Sequence, residues 1–317
     1  MIAFTLRRAG QASLTLVALA VATFFLLHLT PGGPAQMLLG PDRYTPEREA
    51  AINRQLGLSQ PLPTQLVRWL IALVRGDLGY SYFMRRPAFE VVRERLPATL
   101  LLGGLAFIVA LVGGVSWGIW AAARRGSWLD RLLSTIAVVT VSIPSFWLGI
   151  GLIVVFAAWL RLLPSAGVAA IGREHDVGDR ARHLVLPLLT IAAAHTASLA
   201  LYTRAALMET LGQDYIRTAR SLGARERRVL WGHALRNAAI PVTTQAGLTL
   251  PHLIEGSVIV ESVFSWPGIG QLTIASVGRR DYPILLVVTL LVGVIVVLAT
   301  FLTDLVYHWL DPRIRYA

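Results

Sequence analysis

The chain contains no cysteine and no lysine, and it has few charged residues of either sign. Without cysteine, the sequence excludes a disulfide framework, thiolate-ligated metal centres and a cysteine nucleophile. Without lysine, it excludes the usual phosphate-binding loop, whose lysine contacts the nucleotide phosphates. Only 15% of the 317 residues are charged and 55% are hydrophobic, whereas roughly 25% are charged in ordinary soluble domains. This composition excludes a soluble globular enzyme.

The apolar residues form blocks that are long enough to cross a hydrocarbon core of roughly 30 Å as helices. The first block is longer than the apolar region of a cleavable signal peptide, so we expect it to remain in the membrane. The fold class predicted from the sequence is therefore all-α and polytopic. Six membrane-spanning helices are predicted, at residues 9–29, 98–122, 132–160, 184–206, 239–263 and 283–307.

The arginines are distributed unevenly among the segments that connect these spans. One side, which holds both termini, carries Arg7, Arg8, Arg124, Arg125, Arg131, seven arginines from Arg204 to Arg236, Arg313 and Arg315. The short loops on the opposite side carry six arginines. Nine more lie in the segment between the first two spans, which is long enough to fall outside the rule for short loops. The positive-inside rule therefore predicts that both termini are cytoplasmic.

The long segment after the first span is predicted to hold two helices. Thr45 and Pro46 form an N-cap followed by proline at the first helical position, and Gly57 closes this first helix. Apolar residues then recur at spacings of three and four from Leu62 until Gly76, which predicts a second helix with one apolar face. This segment serves either as a docking platform for an external partner or as a lid that packs over the spans.

We therefore predict three parts of the chain. Residues 1–30 form the N-terminal segment and first span, residues 31–95 form an extracytoplasmic helical segment, and residues 96–317 form a core of five membrane helices. A cytoplasmic loop over residues 204–238 interrupts this core.

The cytoplasmic loop is predicted to form a helix, a glycine break and a second helix. Gly223 supplies the positive φ that ends the first helix, and Pro241 marks the end of the second. An apolar ridge edged by positive charge is predicted along the first helix, formed by Ile216, Ala219 and Leu222 with Arg217 and Arg220 beside them. Such a ridge suits a groove on a soluble partner. The alternative is a solvated basic linker.

These motifs together resemble the permeases of ABC importers, and specifically the dipeptide, oligopeptide and nickel branch. The stretch from Asp214 to Gly223, with His233-Ala234-Leu235-Arg236-Asn237 and Pro241, resembles the cytoplasmic "EAA" loop of that family. Other pieces match in order and spacing, among them Arg75-Gly76-Asp77-Leu78-Gly79, Ser142-Ile143-Pro144-Ser145-Phe146 and Glu261-Ser262-Val263-Phe264. Two pieces depart from the family pattern: Pro31-Gly32-Gly33-Pro34 lacks the usual aspartate, and Arg217-Thr218-Ala219 replaces Glu-Ala-Ala.

The resemblance implies the type I ABC importer permease fold in a bacterial cytoplasmic membrane, surrounded by lipid. It implies half of a translocation pathway for di- or oligopeptides, with no catalytic, metal or cofactor site in this chain and no nucleic-acid partner. A second homologous permease, two cytoplasmic ATPases that bind ATP and magnesium, and an extracytoplasmic binding protein are the implied partners. Nickel or another small solute is an alternative cargo. The implied ATPase-coupling residues are Asp214, Tyr215, Ile216, Arg217, Thr218, Ala219, Arg220, Leu222 and Gly223.

Ionisable residues within the apolar blocks are candidates for the translocation path, because such residues usually face a cavity or a partner. His252 and Glu255 lie three residues apart, so they share a helix face. They either line the solute path and favour a cationic group, or form a packing pair. Asp304 lies near the end of the last span and is expected at the membrane interface.

The loop after the fifth span is a candidate outer gate. Trp266-Pro267-Gly268 predicts a turn whose tryptophan suits the membrane interface. The resemblance implies that Glu261, Trp266, Pro267 and Gly268 belong to a gate that touches the binding protein. The alternative is an aromatic anchor with a tight turn.

Three other function classes are weighed against the importer. Haem ligation requires two histidines at matching depths on neighbouring helices. Of the histidines in or beside the predicted spans, only His195 and His252 could form such a pair. An ion-coupled secondary transporter tends to show inverted repeats and broken helices, whereas only Pro144 and Pro251 interrupt the spans. An intramembrane protease is disfavoured, because the spans lack the hydrolase and metalloprotease motifs.

Overall fold

The computed structural model describes residues 2–29 and 33–310, without the side chains of residues 2–9, 41, 250–255 and 304–310. The described residues confirm the predicted all-α class. Their α-helices are α1 (Ile2–Leu29), α2 (Pro34–Leu39), α3 (Pro46–Gln55), α4 (Leu62–Val74), α5 (Ala88–Ala123), α6 (Trp128–Ser142), α7 (Ser145–Leu152), α8 (Val177–Leu211), α9 (Asp214–Ser221), α10 (Glu226–Arg228), α11 (Leu235–Val263), α12 (Ile269–Arg279) and α13 (Tyr282–Leu310). The described chain also has two π-helical segments: Ile153–Trp159 follows α7, and Val229–Ala234 precedes α11.

Four stretches of the described chain are long and apolar enough to cross a membrane: Gly10–Leu29, Ala88–Ala123, Val177–Leu211 and Tyr282–Thr303. A fifth candidate consists of α6 and the stretch Ser145–Trp159, which meet at 103°. The sequence predicts one span over 132–160, and the structure corrects it to this bent pair. The helix ends at Ser142 because the residue before a proline is driven into extended backbone, as Ile143 is at ψ 123°. The fifth predicted span lies within α11.

Both helices predicted between the first two spans are confirmed. In α3 the hydroxyl of Thr45 accepts a hydrogen bond from the backbone N–H of Arg48 at 3.3 Å, as an N-cap does. The second predicted helix is α4, which ends before Gly76. The apolar residues of α4 differ in exposure: Trp69 is partly buried, whereas Val74 is 89% exposed.

The chain forms two compact units. The first comprises the described residues of Met1–Ala98 and Gly268–Val297, and the second those of Thr99–Pro267 and Leu298–Ala317. In the first unit, the start of α5 packs against α12 and α13 through Ala88, Val91, Val92, Ile269, Leu272, Ile284, Val287 and Val288. The core of the second unit contains residues of α5, α8, α9 and α11, and it supports the loop over residues 204–238.

Two glycines let α5 approach α8 within the second unit. A Cβ atom at Gly114 would lie 2.7 Å from the Cβ of Leu199, and one at Gly118 would lie 2.5 Å from the Cβ of Thr203 and 2.6 Å from the carbonyl oxygen of Ala200. These distances are shorter than van der Waals contact and involve atoms near the backbone, so a side chain at Gly118 must push the helices apart.

We expect the change Gly118→Ala to lower the free energy of unfolding by about 1–3 kcal/mol, because overpacking forces backbone shifts. The matched control is Gly104→Ala on the same helix, where nothing lies within 4 Å of an added Cβ. The control should be neutral or stabilise by up to about 1 kcal/mol, since alanine favours helix. Denaturant unfolding in detergent micelles measures both, and equal effects of the two changes would contradict the close approach.

Candidate functional site

The first helix of the loop over residues 204–238, α9, is anchored to the second unit by one apolar side chain. Ile216 is fully buried and packs in a cluster with residues of α5, α8, the π-helical segment and α11, namely Ile119, Ala122, Leu207, Val229, Ala234, Ala238 and Val242. Burying such a side chain contributes about 1.5–3 kcal/mol. The predicted exposed ridge is therefore wrong at Ile216, because the internal cluster already covers this side chain.

A hydrogen bond also ties α9 to the start of α11. The amide nitrogen Nδ2 of Asn237 donates to the phenol oxygen of Tyr215 at 2.6 Å. Tyr215 is 43% exposed, so its ring remains accessible beside this contact. Together with Ile216, this bond places α9 in a fixed position on the helices that follow and precede it.

The glycine break predicted after α9 is confirmed. Gly223 has a φ of +82°, and its N–H donates to the carbonyl of Arg220 at 2.9 Å. The N–H of Ala224 donates to the carbonyl of Ala219 at 3.1 Å. These two bonds form a Schellman motif, which satisfies the last carbonyls of the helix and requires a left-handed residue after it.

Charged side chains connect the two sides of this break. Arg220 donates from Nε to one carboxylate oxygen of Glu226 at 2.7 Å and from Nη2 to the other at 3.2 Å. These bonds from Arg220 lower the pKa of Glu226 below its ordinary value. Arg217 pairs with Asp214 at 3.3 Å, but its side chain is 73% exposed. Arg217 therefore presents its charge to solvent, while much of the charge of Arg220 is met within the chain.

The surface that α9 presents to solvent differs from the predicted ridge. Leu222 is 83% exposed, Thr218 is exposed and Ala219 is partly buried. We use "α9 surface" for the exposed residues Tyr215, Arg217, Thr218 and Leu222. It combines an exposed apolar side chain with the largely exposed guanidinium of Arg217, which suits a partner with an apolar pocket near acidic groups.

The second helix of the loop does not end at Pro241, and that prediction is corrected. Helix α11 runs from Leu235 to Val263 through this proline, and the preceding turn is the π-helical segment Val229–Ala234. Ala238 and Val242 are buried on either side of Pro241. Their packing offsets the helical hydrogen bond that the proline cannot make.

An ion pair beneath the loop was not predicted. Asp130, near the start of α6, is 3% exposed, and Arg204 of α8 donates to its two carboxylate oxygens at 2.6 and 2.9 Å. The N–H of Gly126 donates to the same carboxylate at 3.0 Å. One local signal in the sequence could have drawn attention to Asp130. Ser127 is the N-cap of α6, its hydroxyl accepts a hydrogen bond from the backbone N–H of Asp130, and an acidic residue in the first turn is typical of a helix start.

Three residues of the candidate outer gate, Glu261, Trp266 and Pro267, belong to the second unit, whereas Gly268 begins the part of the chain that returns to the first unit. Glu261 is fully buried, and its Oε1 accepts a hydrogen bond from the hydroxyl of Thr99 at 2.7 Å. Trp266 is 3% exposed, and its backbone N–H donates to the backbone carbonyl of Glu261 at 2.7 Å. The side chain of Trp266 is therefore covered by its own chain, and its placement at the membrane interface stays a prediction. Pro267 is partly buried and Gly268 is the N-cap of α12.

The candidate path residues His252 and Glu255 lie in α11, but their side chains are outside the described part of the chain. The side chain of Asp304 is outside it as well. Their assignment to the translocation path or to the membrane interface stays a prediction.

Family comparisons agree with this arrangement. Residues 114–316 match the family described as "Binding-protein-dependent transport system inner membrane component", and residues 1–103 match the N-terminal component of the same systems. The chain belongs to this family. It is therefore an integral inner-membrane protein and a pore-forming permease subunit rather than an enzyme.

Two curated relatives cover the permease almost end to end. The oligopeptide transport system permease protein AppB of Bacillus subtilis (strain 168) is 38% identical over 317 residues, which is 100% of each chain. The glutathione transport system permease protein GsiC of Salmonella paratyphi A (strain ATCC 9150 / SARB42) is 39% identical over 316 residues, again 100% of each chain.

Solved structures confirm the predicted type I ABC importer permease fold. A chain of the MetNI methionine ABC transporter, in an inward-facing crystal form, aligns with a TM-score of 0.58 at 19% identity, covering 71% of the permease and 98% of that chain. An amino acid ABC transporter crystallised with histidines aligns with a TM-score of 0.51 at 18% identity, covering 70% and 94%. At these identities the likeness concerns the fold alone.

Proposed function

We propose that the permease forms half of the translocation pathway of an ATP-driven importer of peptides. The observation that carries this proposal is its identity of 38–39% over the full chain to permeases named for oligopeptide and glutathione transport. A second homologous permease completes the pathway, a binding protein delivers the peptide outside the membrane, and two cytoplasmic ATPases bind ATP and magnesium. The excess of arginine in residues 204–236 supports a cytoplasmic position for this loop and for both termini.

The contacts of α9 support a mechanism of alternating access driven from this loop. An ATPase that moves the α9 surface also moves Ile216, which packs directly against residues of α5, α8 and α11. Closely packed helices shift as rigid elements, so a displacement at α9 reaches these membrane helices. The ATPases thereby change the populations of inward-open and outward-open states.

Affinity purification through a tag on the permease tests the proposal. The permease is expressed with its neighbouring genes, purified in mild detergent, and its companions are identified by mass spectrometry. Recovery of a second permease and two ATPases, with peptide-dependent ATP hydrolysis after reconstitution with the binding protein, is the expected result. Recovery of the permease alone, or a complex that hydrolyses ATP without response to any peptide, would contradict it.

We expect Arg220→Glu to reduce peptide uptake by about tenfold, because it places two carboxylates at the glycine break, where like charges repel. The double change Arg220→Glu with Glu226→Arg restores the pair with reversed polarity. If the pair acts by holding the break, the double variant recovers most of the uptake. If uptake stays low in the double variant while assembly is normal, Arg220 acts directly on the ATPase. ATP-driven peptide uptake in proteoliposomes measures both variants.

A further inference from the structure

A basic and aromatic cleft of about 810 Å³ lies in the first unit, beside the helices that follow the first span. The end of α1, helix α4, the loop after α4 and the start of α13 form its walls. Its chemically distinctive lining residues are His28, Arg68, Trp69, Tyr80, Tyr82 and Arg85. None of the described residues that line this cleft is acidic. The cleft therefore favours a ligand with a negative charge.

Arg85 is held in place by a network behind the cleft. Its backbone adopts the left-handed region at a φ of +50°, which is strained for a non-glycine residue. Its backbone N–H donates to the backbone carbonyl of Ser81 at 3.1 Å, and the hydroxyl of Ser81 donates to the buried carboxylate of Asp281. The other oxygen of that carboxylate accepts from the N–H of Tyr82 at 3.1 Å. These contacts explain how the strained backbone at Arg85 persists beside an open cleft.

An apolar groove of about 320 Å³ adjoins the cleft, and Leu78 lines both. Every described residue that lines the groove is apolar. Leu78 and Phe89 line it together with residues of α1, α4 and α13, namely Leu16, Val17, Ala20, Leu70, Leu73, Val287, Leu290, Leu291 and Val294. The groove residues of α1 and α13 lie within stretches that are long and apolar enough to cross a membrane, so we expect acyl chains beside the groove. Trp69, Tyr80 and Tyr82 of the cleft are the residue types found at the membrane interface.

We propose that the cleft and the groove together bind one anionic phospholipid, with its phosphate against Arg68 and Arg85 and one acyl chain in the groove. Arginine forms strong charge-assisted hydrogen bonds with phosphate, and a polar headgroup joined to an apolar chain matches the change in lining from cleft to groove. The proposal rests on the proposed function only for its leaflet, which is the outer leaflet if residues 31–95 are extracytoplasmic.

Two polar atoms that line the cleft indicate which headgroup it would bind. The buried atoms Nε2 of His28 and Oε1 of Gln60 have no hydrogen-bond partner among the described residues, and both residues line the cleft. The hydroxyls of a glycerol headgroup suit such atoms. A neighbouring cavity shares these residues and also reaches Glu49, whose carboxylate accepts from the phenol of Tyr44 at 2.7 Å. Glu49 lines only that neighbouring cavity, and none of the described residues that line the cleft itself is acidic, so we expect an anionic glycerol headgroup to be preferred over one that carries an ammonium group.

Native mass spectrometry of the delipidated transporter complex, titrated with dioleoyl phosphatidylglycerol or dioleoyl phosphatidylcholine, tests this site. The double change Arg68→Gln with Arg85→Gln should weaken the binding of phosphatidylglycerol by about tenfold and leave phosphatidylcholine unchanged. The matched control is Arg48→Gln with Arg54→Gln, two exposed arginines on α3 that do not line the cleft. If the double variant fails to assemble, Arg68→Gln alone, on an exposed side chain of α4, gives the same comparison with a smaller loss.

A second pair of variants tests the groove. Val17 is 52% exposed and lines the groove, so Val17→Trp should fill it and weaken phosphatidylglycerol binding severalfold. Leu14, on the same helix, is 72% exposed and does not line it, so Leu14→Trp should have no effect.

Three results would overturn the proposal. The first is equal affinity for the two lipids, which removes the charge preference. The second is equal loss in the cleft variant and its α3 control. The third is that glycerol 1-phosphate competes as well as the lipid does, which leaves an anion site without an acyl chain. Peptide-dependent ATP hydrolysis of the unchanged complex is measured separately, so a failure of the proposed transport function is distinguished from a failure of the lipid site.

Discussion

Replacing Arg204 with glutamine is expected to lower the free energy of unfolding of the permease by about 3–5 kcal/mol, the cost of leaving a buried charge without its partner. The carboxylate of Asp130 is 3% exposed and receives two hydrogen bonds from Arg204. After the change, only the N–H of Gly126 remains among the described donors from outside α6, at 3.0 Å. Urea unfolding in mixed micelles, followed by tryptophan fluorescence, measures the loss.

Two controls separate the loss of this pair from the loss of an arginine. Arg217→Gln removes an ion pair in which the Arg217 side chain is 73% exposed, so it should cost no more than about 1 kcal/mol. The double change Asp130→Asn with Arg204→Gln leaves no charge buried, so it should recover part of the lost stability. Equal losses for Arg204→Gln and Arg217→Gln would show that the Asp130 pair has no special role.

A valine at Gly223 is expected to reduce peptide uptake by more than about tenfold while the permease still inserts and assembles. The φ of +82° at Gly223 is strained for a β-branched residue by about 1–3 kcal/mol. No atom lies within 4 Å of an added Cβ, so the effect comes from backbone strain and not from a clash. The strain breaks the Schellman turn and displaces Leu222 and Arg220. Uptake and ATP hydrolysis, measured together in proteoliposomes, should separate, with hydrolysis continuing and transport lost.

The matched control for this prediction is Gly57→Val. Gly57 has a φ of +71° and also has no atom within 4 Å of an added Cβ, but it follows α3 rather than α9. The backbone strain is therefore similar, and coupling should remain intact. Gly223→Asn should be tolerated as well, because asparagine adopts the left-handed region more readily than other residues. A loss of coupling in Gly57→Val equal to that in Gly223→Val would refute a specific role for the turn at Gly223.

Features that depend on residues close together in the chain were predictable from the sequence. The cap at Thr45 and the positive φ at Gly223 follow from side chains and backbone preferences within a few residues. The break at Pro144 was visible for the same reason, although the bend of 103° was not. Apolar blocks likewise predicted the membrane helices, since the length of a block alone decides whether it can cross a bilayer.

The fate of individual apolar and acidic side chains was not predictable. Ile216 and Leu222 are similar residues six positions apart, yet Ile216 is fully buried and Leu222 is 83% exposed. The difference arises because Val229 and Val242 pack on one side of α9, and periodicity within α9 does not reveal that. Glu261 is fully buried, and its carboxylate accepts a hydrogen bond from the hydroxyl of Thr99, which is distant in sequence, so no local pattern predicts this contact.

The sequence by itself determined the family, the all-α class and the membrane location, because these depend on composition, block length and motifs in a fixed order. Only the tertiary structure decided that Asp130 pairs with Arg204 across 74 residues, and that Ile216 anchors α9. It also decided that two arginines and an apolar groove lie side by side in the first unit. Such contacts join residues far apart in the chain, and the free energy of each depends on partners that no local pattern specifies.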